Sequence, residues 1–91
     1  MTVRLRWVGG GEAEVVETDG QRVVVRSSRA SPPGSPLAAE SSLPSSSVLK
    51  LKVHGCRKEP DGWFRIEGRW VDLTRAAREE LLQARERGGE G

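Results

Sequence analysis

His54 and Cys56 are the two side chains of this sequence best suited to a borderline metal, and they stand two residues apart. On an extended strand that spacing puts both on one face. A structural zinc centre needs about four such ligands. The chain has one histidine and one cysteine, so no zinc site can be assembled from it. What remains is an outward histidine and a half-buried thiol. The single cysteine also rules out an internal disulfide, which suits a reducing compartment. The serines cluster between Ser41 and Ser47, with no base fixed beside them, so no Ser/His/Asp arrangement stands out. Gly9-Gly10-Gly11 precedes a strand-like run rather than a helix, which excludes a phosphate loop. Glu12 with Glu14, and Glu79 with Glu80, read as surface charge pairs. No catalytic residue, metal ligand or resident cofactor is assigned, and enzyme activity is not expected.

Recognition chemistry is better represented. Trp7, Trp63 and Trp70 carry nearly all the aromatic area, since there is one phenylalanine and no tyrosine. An exposed tryptophan beside an arginine marks a binding hot spot, where both residue types are enriched. Trp63 follows a turn and Trp70 is flanked by Arg69, so Trp63, Arg69 and Trp70 are the candidate partner-binding residues. Trp7 shares parity with Val3 and Leu5 and belongs to the core.

These side chains must be carried by one small domain of 91 residues, of which 35% are hydrophobic and 31% charged. Fifteen basic and thirteen acidic residues give a net charge of +2. They are interspersed along the chain, which argues against a dedicated nucleic-acid binder. No run approaches the ~18 apolar residues of a membrane span, and no signal-peptide core is visible. The expectation is a cytoplasmic protein that does not enter a membrane.

The elements follow from periodicity. Val3, Leu5 and Trp7 alternate with arginines, Glu12 to Thr18 forms a second strand, and Gln21 to Ser27 a third. Asp19-Gly20 is the tight turn between the last two. Residues 27–47 are rich in serine and proline and read as a flexible loop, with a short strand at Pro36 to Ala39 as an option. Val48 to Leu73 is a long hairpin: Leu49, Leu51 and Val53 alternate with polar residues, and Glu59-Pro60-Asp61-Gly62 turns the chain. On the return strand Phe64 and Ile66 share a face. Gly68 then reads as a β-bulge that shifts Val71 and Leu73 to the other parity. Thr74 caps a helix over Arg75 to Arg87, with Ala77, Leu81, Leu82 and Ala84 on one side and Gly88-Gly89 as its stop. The fold class is mainly β: a small antiparallel barrel of about six strands with one C-terminal helix.

Three stretches resemble the PilZ domain family of bacterial signalling proteins. Ser31-Pro32-Pro33-Gly34-Ser35-Pro36-Leu37 looks like the entry to a middle strand of that barrel. Val48 to Arg57 with Asp61-Gly62 looks like its long hairpin. Ile66-Glu67-Gly68-Arg69-Trp70-Val71-Asp72-Leu73-Thr74 looks like its closing strand and helix start. The resemblance implies a six-stranded PilZ-like barrel filling residues 1–91. Many members bind cyclic di-GMP through an Arg-x-x-x-Arg segment before the barrel and an Asp/Asn-x-Ser-x-x-Gly motif on early strands. Guanidinium groups suit that ligand because they supply charge, paired donors and stacking planes.

This chain departs from both motifs. With Gly20 as the motif glycine, Val15 replaces the Asp or Asn and Glu17 replaces the Ser. Arg4-Leu5-Arg6 has the wrong spacing for the arginine pair. Arg22 and Arg26 have the right spacing but lie inside a strand, where they share a solvent face. The resemblance therefore implies a non-enzymatic adaptor in a bacterial signalling or motility pathway, acting through a protein partner and without cyclic di-GMP. An alternative is a cyclic di-GMP receptor with non-standard contacts, held by some of Arg4, Arg6, Asp19, Gly20, Arg22, Arg26 and Arg29. A third reading, from the residues alone, is an OB-like barrel that binds single-stranded nucleic acid through tryptophans and arginines.

Overall fold

Alternation of inward apolar and outward polar side chains decides the architecture. The computed structural model describes residues 3–41 and 48–89, with side chains to residue 83. The strands are β1 (Arg4–Trp7), β2 (Glu12–Thr18), β3 (Arg22–Ser27), β4 (Pro36–Ser41), β5 (Val48–Lys58) and β6 (Phe64–Val71), and α1 (Arg75–Gly89) follows. They close into an antiparallel barrel in the order β1-β2-β3-β6-β5-β4. Closure removes the free edges that a small sheet would otherwise expose. Leu5, Trp7, Val23, Val25, Leu49, Leu51, Val53, Ile66 and Trp70 fill the interior.

Thr74 caps α1 as its sequence position implied: Ala77 N–H donates to Thr74 Oγ1 (3.1 Å). Ala77 and Leu81 reach the barrel core and are almost fully buried. Arg78 lies against Gly20, which places the helix at the barrel end marked by the β2–β3 turn. Gly88 and Gly89 are the last helical residues rather than a stop before them.

Two expectations are corrected. Within the stretch 27–47 read as a loop, Pro36–Ser41 is strand β4, which contains the short strand offered at Pro36 to Ala39. Gly34 N–H donates to Val53 O (2.7 Å) and Val53 N–H donates to Ser35 O (2.9 Å), so the approach to this strand is laddered to β5. It continues into β4, which pairs with both β5 and β1 and closes the barrel. The expected mobility of Ser42 to Ser47 falls outside the described residues. The second correction concerns Gly68. It is no bulge: β6 keeps its parity, with Ile66, Gly68 and Trp70 inward and Glu67, Arg69 and Val71 outward. A Cβ on Gly68 would stand 2.4 Å from the Lys52 carbonyl oxygen, so glycine is there because strand β5 passes too close for a side chain. The register shifts lie on the neighbours, at Val15/Glu17 in β2 and at Val53/Gly55 in β5.

The two inward tryptophans each meet a buried hydroxyl. Trp70 Nε1–H donates to Thr18 Oγ1 (3.0 Å) and Trp7 Nε1–H donates to Ser27 Oγ (2.9 Å). Each hydroxyl also secures the backbone just beyond its strand. Thr18 Oγ1 donates to Arg22 O (2.6 Å) and accepts from Gly20 N–H (3.1 Å). Ser27 Oγ donates to Arg29 O (2.7 Å) and accepts from Arg29 N–H (3.1 Å). Among the described residues no buried side-chain polar atom is left without a partner.

Thr18→Val keeps the shape and removes the acceptor of two donors, one of them buried indole. It is expected to cost about 2–3 kcal/mol in urea unfolding, with a change in Trp70 emission. Gly68→Ala is expected to cost roughly 1–3 kcal/mol by overpacking. Gly55→Ala, whose Cβ meets nothing within 4 Å, is the matched control and should stay within about 0.5 kcal/mol.

Candidate functional site

Strand order divides the charges of the barrel exterior. On β5 the outward side chains include Lys50, Lys52 and Arg57. On β6 they include Arg65 and Arg69, and on β3 Arg22 and Arg26. The only carboxylate pointing outward from these three adjacent strands is Glu67. The other half of the barrel is the reverse. Glu12, Glu14 and Glu17 face outward from β2 and Glu40 from β4, against Arg4 and Arg6 on β1. Arg6 sits in register between Glu12 and Glu40.

The basic face is built of cross-strand rows. Lys52 pairs with Arg69, and Arg69 with Arg22. Arg57 pairs with Arg65, and Arg65 with Arg26. Four residues separate the rows on β3 and on β6, but five separate them on β5. The additional residue is His54, at the β5 register shift. If β5 instead alternated strictly through His54, with no register shift, Arg57 would point inward. The shift also separates His54 from Cys56: His54 is exposed, while Cys56 packs against the core. The shared face expected from their spacing is therefore absent. Among the described residues no group of three or more His, Cys, Asp or Glu is placed to hold a metal ion.

The arginines considered as ligand contacts do not gather at one point. Arg29 Nη1 donates to Gly9 O (2.9 Å) and Gly10 O (3.0 Å), which fastens the β1–β2 loop. Its stem would clash with a Cβ on Gly11 at 2.7 Å. Arg26 pairs with Asp61, lies 4.0 Å from Glu14, and covers the Trp63 ring with its guanidinium carbon 5.0 Å from the centroid. Arg4 and Arg6 lie on the acidic half. Arg22 stands alone of this set at the helix-capped end, beside Asp19 and Gly20. Val15 is half-buried against the core and Glu17 is exposed.

Of the candidate partner contacts, Arg69 is exposed and Trp63 half-buried. Trp70 is corrected: it is 6% exposed and turned inward onto Thr18, so it offers a partner no surface. It was chosen because Arg69 flanks it, but neighbours along a strand point to opposite faces, and here Arg69 takes the outer one.

Between the two rows runs an open groove of about 640 Å³, floored by Val24 and Gly68 and edged by Glu17, Arg22, His54, Arg65 and Glu67. Arg65 Nε is 3.8 Å from Glu67 Oε1. Asp19 closes one end. Its Oδ1 accepts from Gln21 N–H (2.9 Å) and Arg22 N–H (2.8 Å), and these bonds to the charged form hold its pKa below the ordinary carboxylate value.

Comparison with protein families, curated proteins and solved structures finds no match for this chain.

The basic face was missed in the sequence because basic and acidic residues are interspersed over the chain as a whole. Each strand's polar parity was visible; the adjacency of β3 to β6 was not.

Asp19 gives a pH signature. Its folded pKa is depressed, so its contribution is present above the unfolded value and lost as pH falls through the folded one. The stability advantage of the native protein over Asp19→Asn is expected to be constant above about pH 5 and to shrink as pH drops below the usual carboxylate range. Urea midpoints measured across acid pH check it; an advantage that grows on acidification contradicts the assignment.

Proposed function

We propose that this chain is a non-enzymatic, PilZ-like adaptor domain that acts through a protein partner in a bacterial signalling or motility pathway, in the cytoplasm and without cyclic di-GMP. The barrel with its C-terminal helix agrees with the architecture the resemblance implies. Among the described residues no helix is long and apolar enough to cross a membrane.

One observation carries the reading: arginines that a dinucleotide would need already serve the fold. Arg29 bonds the Gly9 and Gly10 carbonyls, and Arg26 is engaged by Asp61 and Trp63. Redirecting either would release a loop or a hairpin tip. Glu17 adds a negative charge on the face where phosphates would lie.

Calorimetric titration with cyclic di-GMP is expected to give no saturable heat, and the ligand should leave the Tm unchanged, because only a ligand that binds the native state raises it. Micromolar binding overturns the reading in favour of a receptor with rearranged contacts.

A further inference from the structure

We propose that the outer face of β3–β6–β5 docks an extended, acidic segment of a partner protein, with carboxylates four residues apart flanking a small apolar side chain. The inference rests on the protein-partner reading above and names the partner's chemistry. It starts from the two basic rows. Neighbours within a row are one strand spacing apart, about 4.8 Å. The rows themselves are four residues apart along β3, from Arg22 to Arg26, or roughly 13 Å. An extended peptide laid along the strands repeats this distance between its positions i and i+4. Its i+2 side chain then falls over the middle of the groove, where Val24 forms an apolar floor.

The rows are unequal. Lys52 and Arg69, and Lys50 beside them, have no ion pair among the described residues. In the second row Arg26 is engaged by Asp61 and Arg65 by Glu67, which leaves Arg57 as the main receiver. The stronger carboxylate contact is therefore at Lys52–Arg69–Arg22. These charges lie on the barrel exterior, and a salt-sensitive association is expected.

Other polyanions fit less well. A single-stranded nucleic acid needs exposed aromatic platforms. Trp7 and Trp70 are buried, and Trp63 is covered by Arg26. A phosphate backbone carries a charge at each nucleotide and would place some over Glu67, in the middle of the face. Discrete carboxylates can straddle it.

The test uses the full chain and a fluorescein-labelled peptide, Glu-Ser-Val-Ser-Glu-Ser-Val-Ser-Glu, followed by fluorescence anisotropy. Its glutamine isostere, a variant with its glutamates moved together, a duplex oligonucleotide and phosphatidylglycerol vesicles serve as comparisons. The spaced acidic peptide is expected to bind more tightly than every comparison. Lys52→Glu and Arg69→Glu should each weaken it about tenfold, and Arg6→Glu, an equal charge change on the other half, less than about twofold. Circular dichroism checks that each variant is folded, and Lys52→Gln repeats the test without a reversed charge. Equal losses from Arg6→Glu and Lys52→Glu overturn the proposal, since net charge alone would then explain binding. So does equal affinity for the clustered peptide or the isostere, or stronger binding to the duplex or the vesicles. Absence of peptide binding together with absence of cyclic di-GMP binding sinks only this surface; cyclic di-GMP binding sinks the adaptor reading as well.

Discussion

Two buried hydroxyls, Thr18 and Ser27, hold the barrel to one register. A core this small must take in the indoles of Trp7 and Trp70 to bury enough apolar area, and each brings an N–H that cannot be left dry. Thr18 ends β2 and Ser27 ends β3, so the acceptors stand at opposite ends of the hairpin. Each hydroxyl receives its indole and ties down the backbone that leaves its strand. Slip β3 by one residue and Ser27 turns outward, which leaves the Trp7 indole without its acceptor. The charges outside are thereby fixed by polar contacts inside.

The two register shifts complete that arrangement. In β2 the shift at Val15/Glu17 lets Ala13 and Thr18, of opposite parity, both face inward. Thr18 reaches Trp70 only because of it. In β5 the shift at Val53/Gly55 performs the same exchange in reverse and brings Arg57 out onto the same face as Lys52, opposite Arg65. Both lie next to the β3–β6 pair and border the same groove. Bulges bend the strands that carry them, and here they help a six-stranded sheet close while aiming particular side chains.

Much of this was legible locally. Alternation gave β1, β2, β3 and the long hairpin; Thr74 gave the helix start; Asp19-Gly20 and Pro60-Asp61-Gly62 gave the turns. What failed was long-range. β4 sits among serines and prolines, so the sequence offered a short strand at Pro36 to Ala39 only as an option, whereas pairing on both sides stabilises it to Ser41. Gly68 advertised an irregularity, but a glycine reads alike whether it bends its own strand or makes room for another. The Lys52 carbonyl decides between the two, and it lies sixteen positions away in the sequence. The partners of the candidate arginines were hidden for the same reason. Arg26 and Arg29 were identifiable as cations, whereas their partners Asp61, Gly9 and Gly10 are neighbours only in the closed barrel.

The charge arrangement is hard to explain by stability. Like charges directly opposite across a ladder are destabilising by roughly 0.2–1 kcal/mol each, and opposite charges gain a similar amount. The β1–β2–β4 half follows that rule, with Arg6 between Glu12 and Glu40 and Arg4 opposite Glu14. The β3–β6–β5 half breaks it twice, at Lys52–Arg69–Arg22 and at Arg57–Arg65–Arg26. In the second row local carboxylates relieve the repulsion, through Asp61 and Glu67. In the first, Lys52 and Arg69 are relieved by no ion pair among the described residues, although a glutamate at either position would satisfy the ladder. One half of the same barrel alternates its charges and the other stacks them. A uniform demand for solubility or stability would treat both alike; the acidic segment proposed above would account for the difference.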